Sequence, residues 1–522
     1  MPIIGHRAGT APGGARKIWA LPESLEIRPL LADLAKVFPV RPEKELVRVR
    51  KWFDTDDWRL YQRNLLLFLE RRRWHLLRRD SDELPATFSG RKCETFRFAR
   101  DFPVSRMRTL LEPVLGIRSL QPLVTQDSST ICVRVLNRDR KTVALVYFAD
   151  HATRETGAVF RSVILQEVRG YAGNFNEVSS FFSTCGIRDE VPPHAAFDEG
   201  VRSIGRTPLD YSSKFHVDLQ WNMTSRHAMV RIYRQLLKTM EHNEKGVVDD
   251  LDPEFLHDFR VAVRRTRSGL GQVKQVLPPD IAGKVKKDFS WLGDITGALR
   301  DLDVYLLDRN TYLDRLPATL RPPLDDFFAD MAQRRDRERK ILVGHLRSGT
   351  YREIIDCWQA YLQGPDLGEK TPDSERPVAE LAREIIFRIY KKIMKTGSSI
   401  KGGSTDADLH RLRIRCKKLR YVLEFFTSLF PAGEMDLAVK QLKKLQDNLG
   451  TFNDLSVQQE MLRGYLAGLR PGSRKNQDLA AAIGGLLTYL YHEQQRVRGE
   501  FTTRFEHFSS AENQLLYTKL FH

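Results

Sequence analysis

The sequence predicts an α+β protein: a mostly β N-terminal region followed by an all-helical C-terminal region made of two copies of one unit. Three observations carry that expectation. Between residues 23 and 190 short runs alternate apolar and polar side chains, the period of half-buried strands. Beyond Lys214 the apolar spacing lengthens to a helical period. Finally, the segment His257-Asp-Phe-Arg-Val-Ala-Val-Arg-Arg-Thr-Arg267 returns as His410-Arg-Leu-Arg-Ile-Arg-Cys-Lys-Lys-Leu-Arg420, an offset of 153 residues (410 less 257). The same offset pairs Leu292, Asp294, Gly297, Asp301, Leu302 and Val304 with Leu445, Asp447, Gly450, Asp454, Leu455 and Val457. One offset held over two separate stretches marks an internal duplication.

In chain order, helices are expected near 30–37 and 105–115, and strands at Leu46–Arg50, Leu65–Leu77, Glu94–Phe98, Thr130–Leu136, Val143–Phe148 and Val163–Val168. Several strands carry cations on one face, among them Arg71, Arg73 and Arg134, with Arg138 and Lys141 in a following turn. A Pro/Gly-bearing passage from Gly186 to Pro208 ends the sheet. The expected domains are 1–205, a linker at 206–213, and a helical region 214–522. The polar, proline-punctuated stretch Gln363–Pro377 divides the latter into halves 214–376 and 377–522. The opening helix of each half is duplicated too, since Arg231-Ile-Tyr-Arg-Gln-Leu-Leu-Lys238-Thr resembles Arg388-Ile-Tyr-Lys-Lys-Ile-Met-Lys395-Thr at an offset of 157 (388 less 231). The four-residue difference fits a shorter loop before the second basic helix, and each half reads as a helical bundle with short connections.

With 522 residues, 41% of them hydrophobic, the chain can bury substantial cores, and its length suggests two to four domains. Lys and Arg number 84 against 67 Asp and Glu, a formal charge of +17. That balance favours an anionic partner: nucleic acid, an anionic membrane or an inorganic polyanion. Met1–Ala20 lack the apolar core of a secretory signal and no stretch reaches about 18 uninterrupted apolar residues, so a soluble cytoplasmic protein that does not enter the membrane is expected. Cys93, Cys132, Cys185, Cys357 and Cys416 are odd in number and scattered without a Cys-x-x-Cys pair, which argues for reduced thiols over a disulfide framework or zinc site.

The repeated motif turns into chemistry through its spacing. At about 100° per residue, His257, Arg260, Arg264 and Arg267 fall within an arc of roughly 80° on a helix, with Phe259, Val263 and Leu270 on another side. His410, Arg413, Lys417 and Arg420 repeat the arrangement. Positions 410–420 hold six Lys/Arg and no acid, so nothing local offsets the repulsion, and a solvated surface would mix signs. A duplicated cationic stripe of this kind points to a polyanion site. The two histidines are expected to serve as hydrogen-bond donors that orient an arginine or touch phosphate. Asp294, Asp301, Asp447 and Asp454 are expected to hold motif arginines or cap helices rather than bind a metal. Because the stripes interleave no aromatics, with Phe259 on the apolar side and Tyr421 just past the motif, a ligand that is all phosphate is favoured over nucleic acid.

The paired basic motifs and the Leu-x-Asp, Gly and Asp-Leu positions that follow them resemble the CHAD domain, the conserved-histidine α-helical domain, over roughly 214–522. The resemblance implies two pseudo-symmetric four-helix bundles whose central groove binds inorganic polyphosphate, and a protein associated with polyphosphate granules. It assigns the contacts to His257, Arg260, Arg264, Arg265, Arg267, His410, Arg413, Lys417, Lys418 and Arg420. Arg231, Lys238, Arg388, Lys395, Lys286, Lys287, Lys440, Lys443 and Lys444, elsewhere in the repeats, are further candidates. The N-terminal region, through Trp52-Phe-Asp-Thr-Asp-Asp-Trp-Arg-Leu60, resembles the CYTH family, whose fold is an antiparallel β tunnel that binds triphosphate. Active CYTH members carry Glu-x-Glu-x-Lys on their first strand to hold Mg²⁺ or Mn²⁺. Here the equivalent is read as Ser24-Leu-Glu26-Ile-Arg28, one carboxylate short, and the late strand Gln166-Glu167-Val-Arg169 carries one acid where a pair is usual. The resemblance therefore implies a degenerate tunnel, no catalytic residue, no cofactor and no enzyme activity. The alternatives are a metal-dependent triphosphatase and a nucleic-acid binder.

Overall fold

The computed structural model describes residues 14–22, 24–81, 83–91, 93–364, 367–401, 404–470 and 472–522; most of the Met1–Ala20 stretch lies outside them. The chain divides into two compact units between Ser213 and Lys214.

The first unit runs β1 (Arg16–Ala20), α1 (Ile27–Val37), β2 (Val40–Pro42), β3 (Leu46–Asp54), α2 (Arg59–Gln62), β4 (Leu65–Glu70), β5 (Arg73–Arg78), β6 (Ala86–Ser89), α3 (Arg106–Leu115), β7 (Gln121–Leu136), β8 (Thr142–Thr153), β9 (Val159–Glu167), α4 (Ala172–Thr184) and α5 (Ala195–Ser203). The strands form one sheet in the order β1-β9-β8-β7-β3-β4-β5-β6, with β2 also on β7, and all pairings are antiparallel. One core packs α1 and α4 on β1, β7, β8 and β9, and a second packs α3 on β3 to β6. Ile18 of β1 and Leu66 of β4 nevertheless line the same cavity. In a flat sheet those strands would stand roughly 24 Å apart, five spacings of about 4.8 Å. The sheet therefore curls on itself, as a CYTH-like tunnel requires.

Four sequence expectations need correction here. Leu65–Leu77 is two strands rather than one, because Arg71 and Arg72 turn the chain with φ of 47° and 62°. Arginine is not a turn signal, so the hairpin was hidden inside a long apolar run. Glu94–Phe98 is no strand: Cys93–Thr95 make a 3-10 turn, and Phe96 instead packs edge-on against Phe102 at 4.8 Å. Ser24–Arg28 is also no strand, since Glu26 sits at the N-terminus of α1. Among the described residues the first strand is Arg16–Ala20, with no carboxylate. Between the sheet and residue 208 the chain also forms α4 and α5.

The second unit is helical throughout: α6 (Ser225–Val248), α7 (Pro253–Gln272), α8 (Pro279–Ile295), α9 (Gly297–Leu307), α10 (Arg309–Asp314), α11 (Leu324–Leu346), α12 (Gly349–Gln363), then α13 (Val378–Ser399), α14 (Asp406–Phe426), α15 (Ala432–Ala467), α16 (Arg474–Phe508) and α17 (Ala511–Phe521). The duplication is visible as α6-α7-α8/α9-α11 against α13-α14-α15-α16. A shorter helix closes each half, beyond the four expected: Trp358 of α12 meets Tyr233 of α6 at 5.4 Å, and Tyr517 of α17 stacks on Tyr390 of α13 at 4.0 Å. A single buried cluster runs from Val217 to Phe521 through both halves. Backbone hydrogen bonds from Ser225 to Arg376 (2.8 Å) and from Arg226 to Ser374 (3.0 Å) tie the start of α6 to the stretch that precedes α13.

Candidate anion-binding site

Helix α7 starts where Asp252 accepts the Glu254 N–H at 2.9 Å and Pro253 occupies the first turn, both favourable at an N-terminus. It buries Phe255, Phe259, Ala262, Val263, Thr266 and Leu270. α14 starts from a reciprocal Thr405–Asp408 cap and buries Leu409, Leu412, Cys416, Leu419 and Val422. With those faces inward, the cationic arc of each helix is turned out of the core, as the spacing predicts.

The two basic helices meet. Arg264 Nε donates to the Tyr421 hydroxyl at 2.9 Å, and Arg265 donates to Glu424 at 2.6 Å. Glu424 also accepts from Arg420 at 2.8 Å, so one carboxylate clamps a cation from each copy. Arg265 further lies over the Phe215 ring at 5.1 Å. Arg265 and Arg420 are thus engaged in holding the helices together. The sequence expectation that nothing local offsets the charge is corrected here: Glu424, Asp454 and Asp408 each pair with an arginine of 411–420.

The remaining stripe is one electrostatic cluster. Burial pushes the Arg260 guanidinium below its ordinary value; Asp301 opposes this, while Arg264, Arg300 and Arg267 add to it. Arg413 is lowered by burial and by Arg264, against Asp454. Lys417 is lowered to about 8 by burial, then by Arg413 and Arg264, with Asp454 opposing. Arg260, Arg264, Arg267, Arg413 and Lys417 therefore feel one another across both copies, and a polyanion would relieve their repulsion.

The copies hold their arginines differently. Arg260 donates to the Gly293 carbonyl at 2.9 Å and to Thr296 Oγ1 at 2.6 Å, at the break between α8 and α9. In the second copy α15 passes through the equivalent positions unbroken, and Arg413 donates to Asp454 at 3.3 Å. Asp301, the counterpart of Asp454, attracts Arg260 and Arg300. Two of the four aspartates therefore act on motif arginines; Asp294 and Asp447 are exposed. His410 Nδ1 lies 2.6 Å from Asn453 Oδ1, and His257 is half-buried. Lys418 is exposed beside the cluster. Arg231, Lys238, Arg388, Lys395, Lys286, Lys287, Lys440, Lys443 and Lys444 are all exposed, and among the described residues none is hydrogen-bonded or ion-paired to the stripe. Lys444 lines a different crevice, between α15 and α16.

Asp301 also lines a groove of about 770 Å³ between α9, α11 and α15, with Tyr305, Arg334, Arg337 and Glu460. Tyr421, Glu424, Asn453 and Thr296 were not singled out from the sequence as site residues. Glu424 carries a legible signal, four residues beyond Arg420 on one helix; Thr296 and Asn453 carry none.

In the β unit, Arg48 and Arg50 of β3 turn inward to Glu70, at 3.5 and 3.0 Å, leaving Val47 and Val49 exposed. His151 is buried, 2.8 Å from Ser128 Oγ, and burial and Arg50 lower its pKa to about 3. Glu167 accepts the Ala15 N–H at 2.6 Å, serving the sheet edge. The interior cavity, closed by Pro192–Phe197, measures about 40 Å³, room for one or two waters.

Residues 231–463 match the CHAD domain family, a span that includes both basic helices and both acidic segments, and the helical unit carries a CHAD domain. Among solved structures, the chain is similar to the CHAD domain from the plant Ricinus communis, with 28% identity over 55% of this chain and 95% of that one and a TM-score of 0.46. It is also similar to PptA from Streptomyces chartreusis, with 14% identity over 54% of this chain and 100% of that one and a TM-score of 0.43. No curated protein matches. Among the described residues no helix is long and apolar enough to cross a membrane.

Proposed function

We propose that this protein binds inorganic polyphosphate along the Arg260, Arg264, Arg267, Arg413 and Lys417 cluster, and through it associates with polyphosphate granules, without catalysing a reaction. The observation that carries this reading is the mutual repulsion of cations drawn from both copies, a cost to the free protein that a string of phosphates removes. The CHAD family is itself related to polyphosphate binding or metabolism, which supports the same ligand. Tyr421, an aromatic that meets the stripe, is tied to Arg264 rather than offered to a base, which favours an all-phosphate chain over nucleic acid. The absence of a carboxylate from β1, the capping place of Glu26 and the sheet-edge role of Glu167 argue against triphosphate hydrolysis in the β unit.

The test is to titrate the full chain with long-chain polyphosphate, single-stranded RNA and tripolyphosphate, with and without Mg²⁺ or Mn²⁺, while assaying phosphate release. Polyphosphate should bind with a log–log salt slope of roughly −3 to −4, about 0.7 per neutralised phosphate for five cations. Arg264→Glu with Lys417→Glu should abolish binding and leave helical content unchanged. A slope near zero, or equal losses from reversing exposed lysines such as Lys286 and Lys287, would replace the site with diffuse attraction. Robust phosphate release would restore the triphosphatase alternative.

A further inference from the structure

The duplicated stripes differ at one position in a way that changes what chemistry is open to it. Arg264 of α7 corresponds, at the offset of 153, to Lys417 of α14. A guanidinium stays charged and is a poor nucleophile, whereas a lysine amine can lose its proton and react. Its neighbours on the stripe are tied: Arg264 to Tyr421, Arg413 to Asp454, Arg260 to Gly293 and Thr296. Lys417, half-buried between them, makes no hydrogen bond or ion pair among the described residues. Three charged groups act on it: Arg413 on its own helix, Arg264 from α7, and Asp454 from α15, which is already engaged by Arg413.

We propose that Lys417 is a site of covalent acylation by acyl phosphates, and that its modification switches off the anion site. Arg264 and Arg413 attract the phosphate of the donor to the amine. The neutral Nζ attacks the carbonyl carbon, an N–C bond forms, the C–O bond to phosphate breaks, and the amine proton leaves with the phosphate. Burial first, and then the same two arginines, hold the amine partly neutral. With its pKa at about 8, roughly one Lys417 in four is uncharged at pH 7.5, against about one in 800 for an ordinary lysine. The amide that results has no charge and fills the middle of the cluster with an acyl group. The reactivity follows from the cluster alone; the regulatory consequence rests on the polyphosphate reading.

The experiment treats the full chain with acetyl phosphate at pH 7.5 and follows acetylation of individual lysines by mass spectrometry. Lys418, adjacent but exposed, is the internal reference. Lys417 should be modified about tenfold faster than Lys418, a margin smaller than the ratio of free amines because a less basic, half-buried amine is a weaker nucleophile. The preference should shrink in Arg264→Gln, whose folding is checked by circular dichroism, and with an uncharged active ester as the donor. In the wild type, polyphosphate should protect Lys417. Labelling of Lys417 at or below the rate of Lys418 overturns the proposal. Selective labelling in a protein that does not bind polyphosphate leaves the acylation site standing and removes the function proposed above.

Discussion

Glu424 shows how one side chain can set both the geometry and the charge of a duplicated site. Its carboxylate is mostly buried and bonded to Arg265 and Arg420, so it joins the two basic helices while cancelling part of their charge. Glu424→Gln keeps the shape and removes the charge. Losing a charge-assisted, partly buried pair should lower stability by about 1–3 kcal/mol, while polyphosphate affinity rises and its salt slope steepens by about one. Thermal melts and salt titrations read the two effects separately; a fall in affinity would mean Glu424 positions a phosphate contact. Lys417 supplies a pH dependence of the opposite side chain type. Its pKa of about 8 in the free protein should return toward the ordinary lysine value when a polyanion arrives, so binding takes up a proton between those values. Affinity should therefore fall as pH rises through that window, by about tenfold from pH 7 to pH 9, under the influence of Arg413, Arg264 and Asp454. Lys417→Arg should flatten the profile; an unchanged profile would assign the titration elsewhere.

At the scale of elements, close approach of helices is bought by glycine. A Cβ on Gly397 of α13 would stand 1.9 Å from the Phe505 ring, and one on Gly246 of α6 would stand 2.1 Å from Phe255. Gly397→Ala should cost about 1–3 kcal/mol through overpacking, lowering the melting temperature, although alanine favours a helix. A neutral or stabilising result would show that Phe505 swings away freely. The basic helices and the halves were readable in the sequence because a repeat fixes residue types at constant spacing. β3, β7, β8 and β9 were readable only in part, as Leu46–Arg50, Thr130–Leu136, Val143–Phe148 and Val163–Val168. The Arg71-Arg72 turn and the 3-10 turn at Cys93–Thr95 were not, since tertiary packing overrode the local pattern. The α8/α9 break at Thr296 was hidden for another reason: its partner Arg260 lies 36 residues earlier in the chain. In the candidate site the cations were legible, as were Asp301 and Asp454 as arginine partners and Glu424 through its spacing from Arg420. Tyr421, Asn453 and Thr296 were not, because they meet their partners across helix interfaces.

At the scale of the whole molecule, the two units hold their polar groups in different ways. The helical unit spreads its cations along two surface stripes, whereas the curled sheet takes arginines and histidines inside. That interior should make the β unit sensitive to acid. His151 is buried against Ser128, with a pKa lowered to about 3, and His75, stacked on Phe68 at 4.7 Å, is lowered to about 4, mainly by burial. An unfolded histidine titrates near 6.5, so between that value and the folded one the unfolded state binds more protons. The contribution of each neutral histidine is complete above about pH 6.5 and is lost as pH falls, at about 1.4 kcal/mol per pH unit. For His151 alone the loss from pH 6.5 to pH 5 is about 2 kcal/mol. Hydrogen exchange of the full chain, corrected for the intrinsic pH dependence of amide exchange, should show protection in β7 and β8 falling over this range. His151→Asn should remove that part of the slope, because a side-chain amide keeps a polar contact to Ser128 and does not titrate. If the variant retains the wild-type slope while remaining folded, the acid sensitivity of the sheet comes from other groups, and the neutral state of His151 has no thermodynamic role.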